Sequence, residues 1–405
     1  MPSRKGWHFI PEGMALFFLT EAGKRGIIRK KGKEGILIEP IALLSEFRLP
    51  SEAVSCEPFG NGHINDTFRV GTASGEEFIL QRINTSVFRD PTGLMENIRK
   101  VTVFLADEAK KRGGDPRRES MEVIPTKEGK LFFDDGKDCW RIYTMITDSY
   151  SLEKVESLSQ FREVGEAFGA FLNQLGAFPA DTLVETIPDF HHTPKRLEAL
   201  ERAIGTDRCG RVRETEREIA FVRERKEKVS LLTDAFAAGK IPLRVTHNDT
   251  KLNNILFDKK TKRPLCVVDL DTVMPGLSLC DFGDAIRSGA AACAEDEPDF
   301  RKAGVVLPLF AAYTEGYLRT AGEILTEDEI ALLPEAAEII TLETGIRFLT
   351  DYLMGDTYFK TSRKGQNLDR ARTQFAMAAD IEKKNREMHG MIPALLPEGK
   401  KGIFQ

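Results

Sequence analysis

Patterned cysteine is the first thing missing from this 405-residue chain. Its six cysteines (Cys56, Cys139, Cys209, Cys266, Cys280 and Cys293) are scattered and form no C-x-x-C pair. That excludes a disulfide framework or a zinc site read from ligand spacing, and points to reduced thiols. Long apolar runs are missing too. A membrane helix needs about 20 apolar residues, whereas the stretch from Met14 to Leu19, behind Arg4 and Lys5, is far shorter and lacks a small-residue cleavage site. Neither a span nor an export signal is read, and a cytoplasmic location is expected. Charge of one sign is absent as well: 58 Lys and Arg face 63 Asp and Glu, a net charge of −5. General attraction to nucleic acid or an anionic membrane is thereby excluded, and neither is expected as a partner. Internal repeats and Pro-rich tracts do not occur. The length suits two coupled lobes better than one core.

Residues 1–40 are rich in Lys, Arg and Gly without a sustained period and read as an extension of unassigned role. From Val54 the pattern becomes β-like. The runs around Phe68 and Phe78–Ile83 flank a Thr72-Ala73-Ser74-Gly75 turn, which predicts a hairpin. Leu94, Ile98, Val101 and Leu105 then recur at helical steps across residues 92–111. A further strand pair, Lys130–Phe133 and Cys139–Ile146, closes this region. Beyond residue 148 helical periodicity dominates, including 161–175, the highly charged 196–236 and 341–353. It is broken once by two apolar runs, Asn254–Phe257 and Leu265–Val268. The expected architecture is α+β and bilobal. A β-rich N-lobe spans 41–147, a mostly helical C-lobe spans 148–405, and a hinge lies near Ile146-Thr147-Asp148.

The strongest chemical signal is His247-Asn248-Asp249-Thr250-Lys251-Leu252-Asn253-Asn254, an H-x-D-x-x-x-x-N pattern, followed by Asp269-Leu270-Asp271 after the second apolar run. In kinase-type phosphoryl transfer an Asp accepts the proton of the acceptor hydroxyl, an Asn five residues on holds Mg²⁺, and a second Asp beyond a hairpin reaches the same ion. The hairpin is the physical reason for the spacing, because it returns the chain to the metal. The bare three-residue pattern arises in about one shuffled chain in a hundred. Here it has β-like flanks and an upstream glycine loop, Phe59-Gly60-Asn61-Gly62-His63, whose backbone N–H groups suit phosphate.

These residues, with Asp281-Phe282-Gly283-Asp284 and the segment Leu342–Leu353, resemble the aminoglycoside phosphotransferase and choline kinase superfamily. Within it they most resemble the N-acetylhexosamine 1-kinases, over about residues 50–390. The resemblance implies a protein-kinase-like fold, ATP and Mg²⁺, and transfer to the anomeric hydroxyl of N-acetylglucosamine or N-acetylgalactosamine. It makes Asp249 the base, Lys251 the neutraliser of the transferred phosphoryl group, and Asn254 and Asp269 the metal ligands. Asp271 is left open between the metal and a turn cap. His247 and Asp281 are expected to brace the loop, and Asp281 is not the metal-binding Asp despite its D-F-G lettering.

On the nucleotide side the resemblance implies Gly60, Gly62 and Asn65, with the hinge residues Met145 and Thr147. The strand after the glycine loop carries a basic residue in that superfamily; here Gln81 and Arg82 compete for the place. Their side chains point to opposite faces of a strand, and Arg82 is expected to supply the charge, with Glu96 as its acidic partner. For the acceptor, Asp249 is joined by Glu343, Arg347 and Asp351, which recur at four-residue steps on one helix face. Tyr352, Asp356 and Tyr358 are further candidates. Other acceptors (an aminoglycoside, choline, homoserine) remain open, with the acidic cluster Glu295-Asp296-Glu297-Asp299 as a lining for a cationic one. So does a non-catalytic nucleotide-binding role. Oligomeric state is not legible.

Overall fold

The computed structural model describes residues 40–60 and 64–400, together with the backbone of 29–32 and 35–38. Gly62, with its neighbours Asn61 and His63, lies outside the described residues.

Within the N-terminal extension, β1 (Arg29–Gly32) pairs antiparallel with β2 (Gly35–Ile38). A short helix α1 (Pro40–Leu43) leads into β3 (Ala53–Pro58), β4 (Asp66–Thr72) and β5 (Glu77–Ile83). Helix α2 (Pro91–Lys111) begins where Asp90 accepts the Gly93 N–H and Pro91 takes the first turn. Such a cap is worth about 1 kcal/mol. After α3 (Pro116–Glu119) come β6 (Val123–Ile124), β7 (Phe133–Asp134) and β8 (Cys139–Thr144). The resulting antiparallel sheet runs β3-β4-β5-β8-β6, with β7 also paired to β8.

Strand parity divides this sheet into two faces. Val70, Phe78, Leu80, Trp140 and Ile142 pack beneath α1 with Leu43, Leu44 and Phe47. Ile83, Cys139 and Tyr143 pack on α2 against Leu94, Met95 and Ile98, and this core continues into the C-lobe through Phe171, Val245 and Val273. The second face is therefore the one turned toward the larger lobe.

Between Thr144 and β9 (Ser149–Tyr150) four residues carry the chain from the N-lobe sheet into the C-lobe, where β9 pairs with β11 (Ile255–Asp258). Asp148 takes a positive φ of 49° there, and its carbonyl accepts the Lys259 N–H.

The C-lobe is built on α4 (Leu158–Gln174), α5 (Thr193–Thr206), α6 (Glu216–Glu224) and α7 (Leu231–Ala237). The charged stretch 196–236 is thus spanned by α5, α6 and α7. Next come β10 (Arg244–Thr246), β11, β12 (Pro264–Val267) and β13 (Met274–Gly276). Helices α8 (Ser278–Gly289), α9 (Leu307–Ala321), α10 (Glu327–Ala331), α11 (Leu333–Met354) and α12 (Gln366–Leu395) complete it. Helices α4 and α9 approach so closely that a Cβ on Gly165 would lie 2.2 Å from the Tyr313 carbonyl oxygen, and one on Gly316 2.0 Å from that of Arg162. Among the described residues no helix is long and apolar enough to cross a membrane.

Candidate active site

β10 and β13 pair antiparallel, so the chain from His247 to Val273 hangs from one two-stranded anchor. Within it β11 and β12 form the expected hairpin. The loop after β10 is held from behind by α8. Asp281 accepts the backbone N–H groups of His247 and Asn248 at 2.8 and 2.6 Å, and its carbonyl accepts Thr250 Oγ1 at 2.6 Å. Asp284 accepts the Thr250 N–H at 3.0 Å. Burial pushes the Asp281 carboxyl above its usual range, and the two N–H donors partly oppose that. Asn248 and Asp269, neither of them glycine, take left-handed backbone angles with φ of 64° and 60°. Such strain is tolerated where surrounding bonds over-determine the backbone.

His247 is fully buried. Its Nε2 lies 2.9 Å from the Val268 carbonyl, and the Asp249 N–H donates to Nδ1 at 3.3 Å. A ring nitrogen that accepts carries no proton, so the network assigns the neutral tautomer protonated on Nε2. The imidazole ties the loop to the end of β12.

Asp249 projects from this loop half-buried. Lys251 Nζ pairs with its Oδ1 at 2.7 Å, while Asn254 Nδ2 donates to the Asp249 carbonyl at 2.8 Å and reaches Oδ2 at 3.2 Å. The nearby Asp249 charge holds the Lys251 ammonium above its usual pKa. Asp269 keeps exposed surface although protein packs around its carboxyl. Burial, then the charges of Asp271 and Asp249, raise its carboxyl to about 6.

Would these residues suit Mg²⁺? With Nδ2 committed to Asp249, Asn254 has Oδ1 left as a neutral oxygen donor. Asp269 adds a carboxylate destabilised by two others, a deficit that a cation relieves. Among the described residues no group of three or more His, Cys, Asp or Glu could hold a metal. One carboxylate and one amide oxygen fit an ion that keeps waters and arrives with nucleotide phosphates. The donor set fits.

Across the cleft the sheet departs from expectation. Arg82 lies on the face turned away, 41% exposed, paired with Asp66 and Asp138. Glu96 pairs with Arg99 at 2.8 Å on the surface of α2. Neither reaches the site, because parity places Arg82 with Phe78 and Leu80. Gln81 faces inward, directly opposite Arg141 of β8. Gln81 Oε1 accepts from Arg141 Nε and Nη2 at 3.0 and 2.8 Å, and Gln81 Nε2 donates to Thr67 Oγ1 at 3.1 Å. The buried cation on the inner face is Arg141. Its Nη2 lies 2.6 Å from Asp271 Oδ1, and Asn65 Nδ2 donates to Asp271 Oδ2 at 2.6 Å. Gly60 has a positive φ of 72°. The Met145 N–H is spent on the Glu77 carbonyl at 3.0 Å, and Thr147 is exposed in the hinge.

On the acceptor side, α11 separates its three candidates. Glu343 is fully buried, its oxygens accepting from His191 Nδ1 at 2.8 Å and Thr193 Oγ1 at 2.7 Å. Asp351 is a capping group: it accepts the N–H groups of Thr357, Tyr358 and Phe359 and Asn367 Nδ2. Tyr352 donates to Glu214, and Asp356 pairs with Arg211. The polar atoms of these side chains are thus engaged by protein partners. Arg347 differs. Its guanidinium lies over the rings of Phe190, Phe359 and Tyr358 at 4.9, 5.5 and 6.0 Å.

His191 escaped the sequence reading, since no motif marks it. Its Nε2 lies 3.2 Å from the Asn248 carbonyl, next to Asp249 in the chain, while Nδ1 meets Glu343. Both partners are acceptors, so both nitrogens carry protons. Burial opposes that charge, but Glu343 outweighs it and raises the His191 pKa.

A β-rich lobe over a helical one, with an Asp–Lys–Asn loop and a second carboxylate, defines a kinase-like small-molecule phosphotransferase. A profile of the phosphotransferase enzyme family matches residues 55–322, and the chain belongs to that family. Solved structures with the same fold include a microcompartment-associated aminopropanol kinase, 15% identical over 86% of this chain and 97% of its own, with TM-score 0.53. A spectinomycin phosphotransferase solved with ADP and spectinomycin is 14% identical over 85% and 97%, with TM-score 0.53. A choline kinase from Cryptosporidium parvum is 13% identical over 90% and 99%, with TM-score 0.57.

Proposed function

We propose that this chain transfers the γ-phosphoryl group of ATP to a hydroxyl of a neutral, hydroxyl-rich small molecule, foremost the anomeric hydroxyl of an N-acetylhexosamine. In this reading residues 41–147 carry the nucleotide, through the Gly60–Asn65 loop and the hinge at Met145 and Thr147. Residues 148–405 carry the acceptor. The observation that carries it is Asp249, braced through its backbone by His247 and set beside Lys251 and Asn254.

Asp249 orients the acceptor hydroxyl and takes its proton. Lys251 is placed to offset charge on the transferred group. Asn254 and Asp269 would hold Mg²⁺, which supplies charge neutralisation along the phosphates.

The neutral acceptor is favoured by charge. The named neighbours act on aminopropanol, spectinomycin and choline, and a cationic amine calls for an acidic or aromatic lining. Here the acidic cluster is already neutralised: Glu295 by Arg287, Glu297 by Lys302 and Asp299 by Arg301. Around Phe190 and the protonated His191, whose Nε2 meets the Asn248 carbonyl, lie instead Arg347 and Arg196, the latter with a pKa lowered by burial and by Arg347. Arg196 donates to the Phe190 carbonyl, and among the described residues no carboxylate pairs with either guanidinium. Arg347 over its rings is the acceptor-side residue retained in this reading; Glu343 and Asp351 act behind it.

The test is turnover with ATP and Mg²⁺ across N-acetylglucosamine, N-acetylgalactosamine, glucose, kanamycin, choline and homoserine, followed by location of the phosphate. Highest kcat/KM on an N-acetylhexosamine phosphorylated at C1 supports the reading. A preference for choline or kanamycin overturns it.

A further inference from the structure

Arg141 is 1% exposed, and among the described residues its one carboxylate ion-pair partner is Asp271, on the other lobe. A buried guanidinium without a counter-charge is costly, so the two side chains hold each other in place. The pair sits within a fixed chain of contacts. Gln81 grips Arg141 from the neighbouring strand with two hydrogen bonds and is itself tied to Thr67. Asp271 gives its second oxygen to Asn65 Nδ2, and Asn65 Oδ1 accepts the Asn84 N–H. The Asp271 carbonyl accepts Thr186 Oγ1 at 2.9 Å. One continuous network thus joins the glycine-loop strand, the centre of the sheet and the turn that carries Asp269.

The other ties between lobes differ in kind. Asn97 of α2 bonds neutral carbonyls of Val184 and Val273, Lys100 donates to the Thr182 carbonyl at the surface, and Arg118 pairs with Asp258 where both keep solvent contact. Among the described ion pairs between the lobes, the Arg141–Asp271 pair alone places a buried charge within two residues of Asp269. Its effect on that neighbour is selective. With Asp271 shared between Arg141 and Asn65, Asp269 is the carboxylate of the turn that keeps solvent contact and is available to a cation.

Resting on the phosphotransfer reading, we propose that Arg141 is a positioning residue of this site. From β8 it clamps Asp271 across the cleft, setting lobe closure and reserving Asp269 for the cation that travels with the nucleotide. Gln81 holds the clamp in register. Arg141 acts without touching phosphate.

The experiment compares wild type, Arg141→Lys, Arg141→Met and the double variant Arg141→Met/Asp271→Asn. It measures melting temperature without nucleotide, calorimetric binding of a non-hydrolysable ATP analogue with Mg²⁺, and kcat. Arg141→Met is expected to lose about 10- to 100-fold in analogue affinity and kcat, the usual effect of removing a partner behind a metal ligand. Arg141→Lys keeps the charge and recovers part of both. The double variant leaves no orphaned charge, so its melting temperature returns toward wild type, while affinity and kcat stay low. Affinity in folded Arg141→Met within about threefold of wild type, well inside that range, overturns the clamp. So does a double variant that recovers kcat along with stability. Wild-type protein that binds no Mg²⁺–nucleotide overturns the phosphotransfer reading itself.

Discussion

Asn254 Nδ2 donates to the Asp249 carbonyl at 2.8 Å and approaches its carboxylate at 3.2 Å, so the proposed base and the proposed metal-side amide are fixed relative to each other without any ligand. Prealignment of this kind removes the entropy of assembling the site at each turnover. It also assigns the amide orientation, because only the NH₂ end can donate to a carbonyl.

Asp249→Asn removes the proton acceptor while keeping shape. It should lower kcat at least about a hundredfold with nucleotide affinity retained, measured by steady-state kinetics beside calorimetry. Turnover within a few-fold of wild type would move the base elsewhere.

Asp269→Ala takes away the second carboxylate. Nucleotide should then bind with the same affinity with and without Mg²⁺, where the wild type binds more tightly with the ion. Retained Mg²⁺ dependence would hand the role to another oxygen donor.

The His191–Glu343 pair predicts a pH dependence of stability. Glu343 raises the folded-state pKa of His191 above 6.5; Arg347 opposes and Asp284 assists. A raised histidine pKa adds stability that is complete below about pH 6.5 and fades as pH rises through the folded value. Glu343, though burial opposes it, is held below its usual range by His191 and stays ionised at the acid end. The melting temperature of wild type minus that of Glu343→Gln should therefore shrink from about pH 6 to about pH 9. A constant gap would mean that His191 does not titrate there.

Gly316→Ala puts a methyl group 2.0 Å from the Arg162 carbonyl oxygen and must push α4 from α9. Overpacking costs about 1–3 kcal/mol, read by urea unfolding. Gly390→Ala in α12 meets nothing within 4 Å and should instead stabilise by up to about 1 kcal/mol through helix propensity. Equal signs for the two would refute the close approach.

The two-lobe order, the α2 helix, the hairpin and the Asp249–Lys251–Asn254 loop were legible in the residues because each depends on local periodicity or short spacing. The loop crowds its chemistry into eight residues, and its brace Asp281 follows within one further helix turn of β13. The charge on the inner face of the sheet was not legible. Whether Arg82 or Gln81 faces inward depends on strand parity, and the buried cation there is Arg141, sixty residues along the chain from Gln81. That partnership exists only once β5 and β8 pair in register. Glu343 and Asp351 show the same limit: helical spacing put them on one face of α11, but what that face meets is settled by α5 and by the turn after α11. Short-range order follows from backbone stereochemistry and the spacing of apolar groups. Which buried charge meets which depends on how distant elements pack, because a desolvated ion takes whichever counter-charge the folded chain brings within reach.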